Sequence, residues 1–161
     1  MSPQQAQIQP ALQRILAEES AGLTELETLL GRETDILQGE DVAAIQSIGS
    51  ERHRCVERLT RLDAERADLC RMLSFGNGIA ALGKLFGWAD PAGQLHRQWE
   101  ANLLVARRCR EINDRNGAIV AVKLGRVQQR LALLRGNPLP QVYGPRPSRH
   151  PALAARDLGR A

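Results

Sequence analysis

Apolar residues recur along this chain at steps of three and four, the spacing of one face of a helix. The first series is Leu12, Ile15, Leu23, Leu26, Leu30 and Leu37, with Glu19 and Glu33 on the same line. It predicts a long helix from about Pro10 to Gln38. Ser2, Pro3 and Gln5 also spell a helix start, with Ser2 as cap and Gln5 closing a capping box. Pro10 would then lie inside the helix and kink it, so the start at Pro10 is favoured. Gly39 can end this helix and Asp41 can cap the next. A second series runs through Ile45, Ile48, Arg52, Cys55, Leu59, Leu62, Arg66, Leu69 and Leu73. Its alternating steps of three and four keep a heptad pattern and predict a second helix over about 42–75. Such regularity favours coiled-coil-like packing, and the short connection makes the two helices antiparallel neighbours.

Gly76, Asn77 and Gly78 punctuate the chain. The apolar stretch that follows, Ile79 to Trp88, is expected to form one or two turns that tuck Leu82, Leu85, Phe86 and Trp88 over the end of the bundle. Asp90 as cap and Pro91 at the first position then start a third helix over about 90–135. It carries Leu95, Trp99, Leu103 and Ala106, then the polar interruption Asn113-Asp114-Arg115-Asn116-Gly117, then Val120, Leu124, Val127, Leu131 and Leu134. Gly136, Asn137 and Pro138 stop it. The expected fold is all-α: an elongated antiparallel three-helix bundle in residues 1–136, followed by a Pro/Arg-rich C-terminal tail, 137–161. That tail holds five of the eight prolines and is expected to be extended, disordered or ordered by a partner.

Composition agrees with helices. Aromatic residues make up only 3% of the 161 residues, too few for a sheet-based core. No run of 18 apolar residues is long enough to span a membrane, and Met1 to Gln5 shows no basic-then-apolar signal pattern. Cys55, Cys70 and Cys109 are odd in number and widely spaced, which fits neither a disulfide framework nor a zinc site. A reducing cytoplasm is the simple expectation. Neither His53, His96 nor His150 has a carboxylate or cysteine at metal-ligand spacing, so no metal and no cofactor is expected. The net charge of +4 points at first to nucleic acid. In the tail, however, Arg146, Arg149, Arg156 and Arg160 against Asp157 supply +3, leaving +1 for residues 1–136.

Several constellations carry alternative readings. Arg52 and Arg66 on the second seam fall near Glu33 and Glu19 on the first, given an antiparallel hairpin folded near residue 40. They read as partly buried ion pairs that set register, or as an anion-binding interior of a small helical enzyme. The run Arg107-Arg108-Cys109-Arg110-Glu111 reads as a solvated face, because Glu111 and Asp114 interleave with the cations, or as a phosphate contact. Asn113, Asn116 and Gly117 read as a register device, the glycine admitting a neighbouring helix, or as a weakened stretch that bends or exchanges partners. Val120, Leu124, Val127, Leu131 and Leu134 read as bundle core or as an open groove for another helix. No phosphate-loop, dinucleotide or zinc-protease motif is present, so an enzyme is not expected.

In this order the motifs resemble the FlgN-type flagellar export chaperones. They are Leu26 to Leu37 in an L-x-x-L-L-x-x-E-x-x-x-L pattern, then Leu59, Leu62, Arg66 and Leu73, then Trp99. Asn113, Asn116 and Gly117 follow in an N-x-x-N-G pattern, then Leu134-Arg135-Gly136, and Tyr143-Gly144-Pro145 in the tail. Pro145 is followed by Arg146-Pro147, where the family often has Asp-Gly. The resemblance implies a cytoplasmic chaperone of type III flagellar export. Its clients would be the hook–filament junction proteins FlgK and FlgL, bound through their C-terminal amphipathic segments. It also implies docking to the export apparatus, including the export gate protein FlhA, with Tyr143 as the candidate contact, and the ATPase complex. The Val120 to Leu134 seam is then the candidate client groove. The rival expectation is a basic helical protein that binds nucleic acid or a regulator.

Overall fold

A computed structural model describes residues 1–136; Tyr143 and the rest of the tail lie outside the described residues. The described residues fold into four helices: α1 (Pro3–Gln38), α2 (Val42–Met72), α3 (Ile79–Ala89) and α4 (Gln94–Leu134). The order of three long helices is as expected. The capping stretch between the second and third is longer than expected, a full helix of 11 residues.

The start of α1 corrects the expectation of Pro10. Ser2 caps the helix, Gln5 completes the capping box, and Pro10 sits inside. Two contacts offset the hydrogen bond that Pro10 lacks. The Gln5 Nε2 donates to the Trp88 carbonyl at 2.7 Å, and Ile8 packs on the apolar cluster at that end. Residues 3–9 are therefore held by α3, a partner far along the sequence. The start of α4 is also displaced. Asp90 ends α3, and Pro91 and Ala92 form a turn. Gly93, at φ 76°, is the residue before the helix, a conformation suited to glycine. Asp90 still serves the new helix, because its carboxylate accepts from the Ala92 and Leu95 amides at 3.2 and 2.9 Å. α2 ends at Met72, before the Gly76-Asn77-Gly78 stretch, with Ser74 at φ 59° turning the chain.

α1 is the central element. It packs along both α2 and α4, whereas no Cα of α2 comes within 8 Å of one in α4. This position requires α1 to be apolar on a wide face. All eight positions of its seam are buried, and Leu16 and Leu29 widen it. α2 needs only one stripe, and its buried line is Ile48, Cys55, Leu62, Arg66 and Cys70. Beyond Arg66 the line therefore passes to Cys70, while Leu69 and Leu73 are only half-buried. Gly22 makes room for α2: an added Cβ there would meet Leu59 Cδ2 at 2.8 Å.

Two apolar clusters fill the interior. One joins Leu12 and Leu16 with Cys70, Leu85, Phe86, Leu95 and Trp99, so α3 seals the end where α2 turns to α4. The other joins Leu26, Leu29 and Leu30 with Ile48, Cys55 and Cys109. The expected ion pair of Arg66 with Glu19 lies between them, at 2.5 Å, both side chains buried. The second expected pair, Arg52 with Glu33, forms at 3.4 Å.

All three cysteines are free and buried. Burial raises each thiol, and pushes Cys109 up from 9.0 to about 11. A thiol raised in the folded state contributes stability that is complete below its unfolded value and is lost as pH rises through the folded one. The urea midpoint is therefore expected to fall between pH 9 and pH 11 and to be insensitive to thiol ionisation below pH 8. Cys109→Ala should remove part of that slope.

Candidate functional site

α4 runs parallel to α1 and is locked to it by a polar ladder. The Asn102 Nδ2 donates to the Leu16 carbonyl at 3.0 Å, Cys109 Sγ to that of Leu23 at 3.6 Å, and Asn116 Nδ2 to that of Leu30 at 3.0 Å. Each rung is one heptad beyond the last, and the sequence separation is 86 at every rung. Side-chain donors aimed at main-chain carbonyls of another helix specify register, because a slip leaves buried donors without acceptors. Asn102 is the rung that sequence reading missed. Its signal was present in the heptad spacing of three small polar residues, 102, 109 and 116.

At the last rung the ladder widens into a layer. Asn116 Nδ2 also donates to the Glu33 carboxylate at 3.0 Å, and Thr34 Oγ1 donates to Asn116 Oδ1 at 2.7 Å. Arg52 Nη1 reaches Glu33 at 3.4 Å and Asn113 Oδ1 at 3.1 Å. The two asparagines of the N-x-x-N-G pattern thus join one helix to each neighbour: Asn116 to α1 and Asn113 to α2. This supports register control. The enzyme alternative required the two arginines to converge in a closed pocket. Instead, 14 residues separate Arg52 and Arg66 on α2, about 21 Å of helix, and each has its own carboxylate.

Gly117 corrects one expectation. A Cβ added there meets nothing within 4 Å, so no neighbouring helix needs the space. Gly117→Ala is expected to stabilise the fold by about 0.5–1 kcal/mol, the helix-propensity difference. A thermal melt measures it, and an unchanged or lower midpoint contradicts the open geometry.

Beyond the polar layer α4 outruns its partner. At the ladder's separation, Gln38 at the end of α1 lies level with Leu124. Ten further residues, about 15 Å of helix, continue to Leu134. The expected seam lies largely on this stretch and is open: Val120 is 44% exposed, Leu124 55%, Val127 51%, Leu131 44% and Leu134 83%. These residues are therefore not bundle core. Stepped at 100° per residue, the five fall within an arc of about 80°. Asn102, Cys109 and Asn116 lie on the same face, so the stripe prolongs the α1-facing side of α4 past the point where α1 stops.

The charged run on α4 is a solvated face. Arg108 forms a forked pair with Glu27 at 2.7 and 3.3 Å, while Arg107, Arg110 and Arg115 are exposed. His53 and His96 are exposed beside Glu57 and Glu100, and His150 lies outside the described residues. Among the described residues no helix is long and apolar enough to cross a membrane.

Among the described residues the body is all-helical and its last helix ends in an exposed apolar face. The particular family follows from most of the chain: the family profile described as FlgN protein matches residues 8–150, and the chain belongs to the FlgN family. It is accordingly a flagellar export chaperone, of a family whose members are chaperones rather than enzymes. No curated protein and no solved structure matches the chain significantly.

Proposed function

We propose that this chaperone acts in the cytoplasm and holds the C-terminal amphipathic segments of the hook–filament junction proteins FlgK and FlgL. The observation that carries this reading is the uncovered stripe Val120, Leu124, Val127, Leu131 and Leu134 on a helix that continues past α1. In the elongated bundle, α1 and α4 already pack in parallel with heptad register. A client helix laid on the free stretch of α4 takes up the same kind of packing, reading apolar anchors at helical spacing. Covering the client's own apolar stripe keeps it from assembling before export. The heptad spacing of the second seam in the sequence is consistent with grooved packing of this kind.

Delivery to the type III export apparatus, through the gate protein FlhA and the ATPase complex, is assigned to residues 137–161, with Tyr143 as the docking residue. Co-purification of FlgK or FlgL from the same organism with the full chain tests the client assignment. Failure of both to co-purify under reducing conditions overturns it. Deleting residues 137–161 should spare client binding and impair export; loss of client binding instead moves the client site into the tail. The nucleic-acid reading has no observation in its favour beyond net charge.

A further inference from the structure

The apolar stripe of α4 is charged mainly on one shoulder. Lys123, Arg126 and Arg130 lie on the same edge, about 60–120° round the helix from the centre of the stripe. The other edge is formed by Ala121, Gln128 and Ala132, with Arg135 at the C-cap as its one cation. No acidic residue occurs between Asp114 and Gly136. The chain is strongly polarised at that point. Residues 1–114 hold 13 basic and 17 acidic residues, a net −4, whereas residues 115–161 hold nine basic and one acidic, a net +8. The division falls at the polar layer, well before the tail begins.

The body shows what this edge does when it is covered. Arg108 lies 18 residues before Arg126, about five full turns, and so on the same edge of α4. There it reaches across to α1 and pairs with Glu27 through two hydrogen bonds. Lys123, level with the end of α1, donates to the Gly39 carbonyl and so closes the C-terminus of that helix. Arg126 and Arg130 come next, after α1 has ended, and make no salt bridge among the described residues.

We infer that the free stretch of α4 selects a helix with an acidic shoulder: one that continues the track of α1, with carboxylates one turn apart facing Arg126 and Arg130 as Glu27 faces Arg108. This rests on the client-groove reading above and adds the chemistry that tells one client helix from another. The stripe supplies contact area, and the cations supply orientation and encounter rate. An anionic membrane is the less suitable occupant. An interfacial helix carries cations on both sides of its apolar face and aromatic residues at the boundary. Here Lys123, Arg126 and Arg130 are on one side and only the C-cap Arg135 is on the other, and residues 115–135 contain no Phe, Trp or Tyr. A second copy of this chain would bring like charges onto this edge.

The test uses the full chain and two designed helical peptides. Both carry a leucine stripe at helical spacing; one has glutamates at i and i+4 on a single shoulder, the other lysines. Titration calorimetry or fluorescence anisotropy is expected to show the glutamate peptide binding more tightly. Arg126→Glu with Arg130→Glu should reverse the order, changing the ratio of affinities about tenfold at 0.05 M salt and about twofold at 0.5 M. Circular dichroism confirms that the exposed double variant keeps its helices. Equal binding of both peptides, unaltered by charge reversal but lost in Leu131→Asp, overturns the acidic-shoulder inference and leaves the groove standing. Equal binding that Leu131→Asp does not weaken removes the groove as well. Co-sedimentation with vesicles of 30% phosphatidylglycerol, without discrimination between the peptides, replaces the helix with a lipid surface. A charge-dependent dimer in sedimentation replaces it with a second copy.

Discussion

Arg66→Met is expected to lower the unfolding free energy by about 3–5 kcal/mol, the cost of leaving one member of a buried ion pair without the other. Arg66 and Glu19 are 4% and 8% exposed at their side chains and meet at 2.5 Å between the two apolar clusters. Asp63, the other partner of Arg66 at 2.6 Å, is 46% exposed and stays solvated when the arginine is removed. Glu19 does not. Burial already pushes its carboxyl up, against the opposing pull of Arg66. Without the arginine, burial and the neighbouring Asp63 charge raise it, opposed only by a hydrogen bond from Asn102. A carboxyl raised by folding contributes stability that is present at low pH and lost as pH rises through its folded value. The deficit of the single variant should therefore be smaller at pH 5 than at pH 7.5. Glu19→Leu combined with Arg66→Met should recover most of the loss, because a well-packed apolar pair replaces both charges. Urea unfolding of the single and double variants at the two pH values measures all of this. A single variant within 1 kcal/mol of the parent protein shows that the pair is solvated. A double variant as unstable as the single shows that packing at the site, rather than charge, governs it.

Leu131→Asp is expected to reduce binding of a FlgK C-terminal peptide by more than about 100-fold. Losing one well-buried leucine costs roughly 1.5–3 kcal/mol, and the new carboxylate adds a desolvation penalty in an apolar contact. About 2.7 kcal/mol is already a 100-fold change. In the free protein the same substitution is mild. Leu131 is 44% exposed, so little burial is lost, and an acidic residue in the last turn costs roughly 0.3–1 kcal/mol against the helix dipole. Binding and folding are therefore separated: the peptide is lost while circular dichroism and the thermal midpoint barely move. Normal binding by this variant removes the stripe from the client site.

How much of this was legible in the sequence depended on whether a residue's role was local. The α1 seam repeated at helical spacing, and every position in it is buried. The pairing of Arg52 with Glu33 and of Arg66 with Glu19 followed from one hairpin near residue 40, because an antiparallel turn converts sequence distance into contact. By contrast, Pro10 looked like a start because a proline breaks helical hydrogen bonding wherever it stands. What carries α1 through it is a glutamine–carbonyl contact to Trp88, which no local rule anticipates. Gly117 looked like a close-approach site for the same reason. The glycine whose missing Cβ is used is Gly22, against the Leu59 side chain, and nothing in the neighbouring residues distinguishes one glycine from the other. The order of motifs from Leu26 to Tyr143 did announce the family, independently of any packing detail.

By itself the sequence determined the three long helices apart from their starts, their order, the ion-paired seam and the kinship, since each rests on periodicity or on residue order along one chain. Only the tertiary structure decided which face of α4 is used up. The Val120 to Leu134 seam has the same spacing as a core seam, and spacing says that a helix has an apolar face without saying what covers it. The length of α1 and the parallel register set by Asn102, Cys109 and Asn116 settle that. α1 ends level with Leu124, and the apolar face of α4 continues without it.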